Sequence, residues 1–89
     1  MQRFNLGNIL QQFELCDFAI QKKLTKEEYI LLYGFSEGLN NADMMALMEC
    51  SRSTLTRVQR NTLNKLKTDS KIHAVSIFVS SKTKVENKI

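Results

Sequence analysis

The sequence predicts an all-α domain, and three observations predict it. Proline is absent and glycine occurs only three times, so few turns demand special backbone geometry. Apolar residues recur at helical spacing through most of the chain, the period of helices buried along one face. Good helix-starting residues (Thr25, Asn40 or Asn41, and Ser51) stand directly before the periodic stretches.

Each element follows in order. Residues 5–22 read as a first helix, with Leu6, Ile9, Leu10, Phe13 and Ile20 on one stripe and Phe4, Leu15, Phe18 and Ala19 widening it. That is more apolar surface than one short helix needs to hide. A well-covered core helix and a dimer or partner surface both satisfy the pattern, and both readings stay open. Thr25 caps a second helix over about 26–37, and Glu28 three residues later completes a capping box. Leu31, Leu32 and Phe35 face inward there, flanked by Tyr29 or Ile30, and Gly38 ends the helix.

Asn40 or Asn41 starts a third helix, about 41–48, whose buried stripe is Met44, Leu47 and Met48. Cys50 lies in the turn, and Ser51 caps a fourth helix over about 52–66. Its core face runs through Leu55, Val58, Thr62 and Leu66, with Leu63 at the margin. A fifth helix spans about 69–80, carrying Ile72, Val75, Ile77, Phe78 and Val79. Residues 81–89, poor in apolar side chains, read as a flexible tail. The expected organisation is a helical extension over 1–23, a domain over 24–80 and the tail.

Composition bounds the function. At 89 residues the chain makes one small domain burying about 60–65% of its unfolded surface, marginal enough to lean on a partner or a second copy. Hydrophobic content of 43% and charged content of 25% are ordinary for a soluble protein. No signal-peptide pattern appears, and no apolar run approaches the ~20 residues of a membrane helix, so the expectation is a soluble, cytoplasmic chain without membrane contact. Cys16 and Cys50 fit neither a zinc spacing nor a redox pair and read as reduced, packed thiols. His73 has no acid, Ser or Cys placed to form a triad or metal site with it. Glu27 and Glu28 point in different directions on a helix, and Glu28 is explained by capping. Met44, Met45 and Met48 read as core filler. No glycine-rich phosphate loop is present. The sequence therefore predicts no catalytic set, metal or cofactor, and no enzyme.

Charge is more informative in its placement than in its net value of +4. Segment 24–50 holds one base, Lys26, against the acids Glu27, Glu28, Glu37, Asp43 and Glu49. Segment 51–67 holds Arg52, Arg57, Arg60, Lys65 and Lys67 and no acid. An all-basic stretch on one helix is the footprint of phosphate contact, although a solvated face has the same composition. Helical geometry favours phosphate contact over a solvated face, while a basic helix could also meet an acidic protein. With Leu55 at zero, Arg57 falls at about 200°, Asn64 at about 180°, Ser53 at about 160° and Arg60 at about 140°. Thr56 falls at about 100° and Asn61 at about 240°, while Thr62 and Leu66 stay within about 20° of Leu55. One face is apolar, and the opposite face carries donors suited to base edges and phosphates in a major groove, which admits an α-helix.

Leu24 to Val75 resembles, without a gap, the LuxR-type (GerE, FixJ and NarL class) DNA-binding domain. The resemblance rests on Leu24-Thr25, Glu28, Leu32, Glu37-Gly38-Leu39, Asn41, Ser51, Thr54, Asn61, Leu63, Lys65-Leu66 and Ala74-Val75. It implies a four-helix helix-turn-helix domain, here with an extra N-terminal helix. Helix 41–48 positions and helix 52–66 enters the major groove. The implied base-reading positions are Thr56, Arg57 and Arg60. The implied phosphate contacts are Thr54 and Lys65, with Arg52, Ser53 and Asn61 alongside. The last helix often forms a two-fold dimer contact in this family, which marks Ile72, Val75, Ser76 and Val79.

Departures from the family pattern are Val58 where a polar residue is frequent, Lys67 for a frequent glycine, and Thr56 for a basic residue. Lys26 replaces a proline, and Thr62 an isoleucine. The residues before Leu24 are too few for a phospho-receiver or inducer domain, so no small-molecule ligand is expected. The resulting expectation is a free-standing bacterial transcription regulator that binds double-stranded DNA as a homodimer. Its alternative is a protein-interaction module of the same fold that modulates a larger regulator, its partner, without binding DNA.

Overall fold

The expected first helix is two helices. The computed structural model describes residues 6–87, and α1 runs Leu6–Glu14 and α2 Asp17–Lys22. The break falls at Leu15 and Cys16, whose N–H groups donate back to the Gln12 and Phe13 carbonyls at 3.1 and 3.2 Å. Cys16 is extended and stands as the N-cap of α2. The break turns α2 about its axis relative to α1. Ile9 and Ala19 are therefore buried, whereas Ile20, expected on the same stripe, is 64% exposed. Leu15, at the break, is 84% exposed.

Lys23, in the left-handed region, closes α2, and Thr25 starts α3, Lys26–Ser36. The capping box forms as expected: the Glu28 N–H donates to Thr25 Oγ1 at 3.2 Å and the Thr25 N–H to Glu28 Oε1 at 2.8 Å. Helix α3 is the centre of the molecule. Tyr29, Ile30, Leu31 and Leu32 are all buried, although four consecutive residues cover every side of a helix. Tyr29 and Ile30 thus belong to the core rather than its flank, and Phe35 is only half-buried. The reason is tertiary: α1, α4 (Asn41–Met48), α5 (Arg52–Lys65) and α6 (Lys71–Asn87) all pack on α3.

Aromatic rings join the N-terminal helices to the last one. The Tyr29 ring lies 5.5 Å from Phe13 and 5.5 Å from Phe78, the latter edge-on, and Phe18 meets Phe78 at 6.2 Å. Within the expected extension over 1–23, residues 6–23 therefore pack as part of one core, with Ile9 and Ala19 inside it, and residues 1–5, Phe4 among them, lie outside the described residues. Burial, with the neighbouring Cys16 and Tyr33, pushes the Tyr29 phenol up to about 12.

Gly38 ends the α3 turn at φ +91°, and the Leu39 N–H returns to the Gly34 carbonyl at 3.0 Å. Helix α4 sits close on α3 because Gly34 has no side chain. A Cβ there would overlap Met44 Sδ, and Met44 is wholly buried.

Helix α6 starts at Lys71 rather than 69. Ser70 Oγ accepts from the His73 N–H at 3.2 Å, capping the helix. It also runs beyond the expected end at 80. The flexible tail expected over 81–89 is helical through Asn87, there being no proline or glycine to stop it, and residues 88–89 lie outside the described residues. The two cysteines are free and half-buried. Among the described residues the architecture is all-helical, and no helix is long and apolar enough to cross a membrane.

Candidate nucleic-acid interface

Two capped helices and a tight turn build the surface. Asn40 and Asp43 form a reciprocal capping box at the start of α4, with bonds of 2.8 and 3.1 Å. Glu49 then enters the left-handed region at φ 52°, and the Cys50 N–H closes back on the Met45 carbonyl at 3.1 Å. Ser51 Oγ accepts from the Thr54 N–H at 3.2 Å and starts α5. Only Glu49, Cys50 and Ser51 separate the helices.

Helix α5 is seated by the expected residues. Leu55, Val58, Thr62 and Leu66 are buried, and Leu63 is half-buried. Thr62 donates its hydroxyl to the Val58 carbonyl at 2.8 Å, so its polar atom is satisfied inside the core. Val58 is itself core, which leaves no polar group at that position.

The opposite face is free. Arg52, Ser53, Thr56, Arg57 and Arg60 line one open, shallow depression. All five are exposed, as are Asn61 and Asn64. Helix α5 contains no Asp or Glu, and among the described residues none of Arg52, Arg57 and Arg60 makes an ion pair. Three uncompensated guanidiniums on one surface attract anions.

The remaining expected contacts form a second margin of the helix. Thr54 is half-buried and accepts from Ser51 Oγ at 3.1 Å. Asn61 is exposed beside it. Lys65 is engaged within the molecule: its Nζ lies 2.7 Å from Glu28 Oε1 and donates to the Lys23 carbonyl at 2.7 Å. That leaves one of its three donors.

Asn41, read from sequence only as a candidate helix start and as part of the resemblance, and Gln59, not singled out from sequence, join Arg52, Thr56 and Arg60 around an adjoining depression. Gln59 falls at about 40° from Leu55, on the core side of the helical projection. Asn41 arrives from another helix. Its place beside α5, like that of Gln59, carries no signal in a single-helix reading.

The expected dimer residues lie together on α6. Ile72 is 81% and Val79 42% exposed, Ser76 is exposed and Val75 is half-buried, on the side away from Ala74 and Phe78. Ile72 and Val75 also border a depression with Phe35, Gly38 and Leu39, where Lys71 Nζ sits 4.2 Å over the Phe35 ring. His73 Nδ1 pairs with Thr68 Oγ1 at 3.1 Å. Among the described residues no His, Cys, Asp and Glu cluster could hold a metal ion. No protein-family model, curated protein or solved structure matches the chain, so the surface of α5 and the short turn before it carry the functional argument by themselves.

Proposed function

We propose that this protein is a LuxR-type transcription regulator that binds duplex DNA by laying α5 in the major groove. One observation carries the reading: the face of α5 opposite Leu55, Val58 and Thr62 presents Arg52, Ser53, Thr56, Arg57 and Arg60, exposed and without a nearby acid on the helix. A helix held by its apolar side and offering donors on the other is the form that major-groove readers take. The turn at Glu49–Ser51 supports the helix-turn-helix assignment, with α4 as the positioning helix. A homodimer through Ile72, Val75, Ser76 and Val79 would place two copies of α5 on two half-sites.

Fluorescence anisotropy on a random duplex at two salt concentrations tests the proposal, alongside Arg57→Ala. Tight binding that weakens steeply with salt and drops in the variant supports it. Absence of binding at low salt by folded protein overturns it. The second reading, a protein-interaction module acting on a larger regulator, is favoured by the exposed Leu15, Ile20 and Ile72.

A further inference from the structure

We propose that α5 selects duplexes carrying guanines in neighbouring base pairs, one read by Arg57 and the other by Arg60. The inference rests on the duplex-binding reading above and adds the base identity. It starts from where the two side chains stand. They straddle the line opposite Leu55, at about 200° and 140° around the helix. The margins on either side are occupied differently, by Arg52 and Thr56 on one and by Thr54, Asn61 and Lys65 on the other. A helix in a groove turns its crest to the base edges and its margins to the flanking phosphates. Ser53 and Asn64 share the crest, but Ser53 is short and Asn64 stands at the far end of α5, whereas the N-terminal part of a recognition helix meets the base edges, so Arg57 and Arg60 are the crest residues that reach them.

The chemistry of this pair is then narrow. Both groups are guanidiniums, with paired donors and no acceptor. Guanine alone offers two acceptors, O6 and N7, side by side in the major groove. Adenine presents one acceptor beside a donor, which a guanidinium cannot match. Neither arginine is held by an acid among the described residues, so neither must break an ion pair to reach a base. Spacing sets the register. Three residues along a helix rise about 4.5 Å, against about 3.4 Å per base step. Each arginine thus reaches its own base pair.

The test uses the full chain and a random duplex pool, enriched by binding and sequenced. Two guanines in neighbouring base pairs are expected, with Arg57→Ala losing preference at one and Arg60→Ala at the other. The enriched duplex is then remade with 7-deazaguanine, which keeps Watson–Crick pairing but lacks N7. Each replacement removes one of the two acceptors, should weaken wild-type binding about 2- to 12-fold, and should have little effect on the variant lacking the matching arginine. Far-ultraviolet circular dichroism confirms that each variant is folded, and Arg57→Lys serves as the second variant, keeping charge but losing the fork. Salt-sensitive binding without an enriched guanine, or with guanines that persist in both alanine variants, overturns the base assignment while duplex binding stands. Absence of any binding to the pool by folded protein overturns both.

Discussion

Lys65 and Glu28, 37 residues apart in sequence, meet at 2.7 Å, and this contact ties the end of α5 to the first turn of α3. Glu28 is the same residue that closes the capping box with Thr25. Its carboxylate is nearly inaccessible, so it depends on the ammonium and the Thr25 N–H for its charge to be tolerated. Lys65→Ala should cost about 1–3 kcal/mol, between the values for exposed and buried pairs, because Lys65 itself is partly exposed. Adding Glu28→Gln should recover part of that loss. Urea unfolding of the four proteins measures the coupling; strictly additive losses would show that the pair contributes nothing.

Gly34→Ala should destabilise the fold. Alanine gains about 1 kcal/mol of helix propensity over glycine. The new Cβ would overlap Met44, which is wholly buried and cannot swing into solvent. Overpacking of this kind costs about 1–3 kcal/mol, so a net loss of up to about 2 kcal/mol is expected. Met44→Ala added to Gly34→Ala should show less than additive loss, since it removes the overlapping atoms. An increase in stability for Gly34→Ala alone would contradict the close approach of α3 and α4.

Lys67→Gly should stabilise. Lys67 sits at φ 58° just past α5, in the left-handed region that favours glycine. Relief of left-handed strain, less the entropy that glycine adds to the unfolded chain, leaves a gain of about 0.5–1 kcal/mol. That corresponds to a melting temperature about 3–6 °C higher, read by thermal unfolding. Glu49→Gly, at φ 52°, should behave alike.

Alkaline stability should depend on Tyr29. Its phenol ionises at about 12 in the fold against 10.0 in the reference state, because burial disfavours the phenolate. A raised folded value means that the contribution is complete below pH 10 and is lost as pH climbs from 10 towards 12. The loss reaches about 2–3 kcal/mol. Tyr29→Phe keeps the ring packing and removes the proton. Compared with wild type, its stability should fall less steeply across that window, and parallel curves in urea unfolding from pH 8 to 12 would refute the assignment.

Much of this was legible in the sequence wherever the cause was local. Thr25, Asn40, Ser51 and Gly38 mark helix ends because capping is settled within four residues. The core stripe of α5 follows from spacing alone, and so does the exposed face opposite it. What escaped depends on neighbours. The break at Leu15 and Cys16 has no proline or glycine to announce it, and Ile20 faces out because of it. The role of Lys65 could not be read, since Glu28 comes from a different helix. Tyr29 and Ile30 are core because α3 is surrounded, which no single-helix stripe reveals.

That surrounded helix has a kinetic consequence. Helices α1, α4, α5 and α6 each rest on α3, which is the element most of the helix packing shares, beside the α4–α5 pair and the Phe18–Phe78 contact between α2 and α6. Peripheral turns can fray singly, but α3 can open only when the others have let go. Its amide protons should be the last to exchange with deuterated water, at the rate of global unfolding, and the surface of α5 should vanish in the same event.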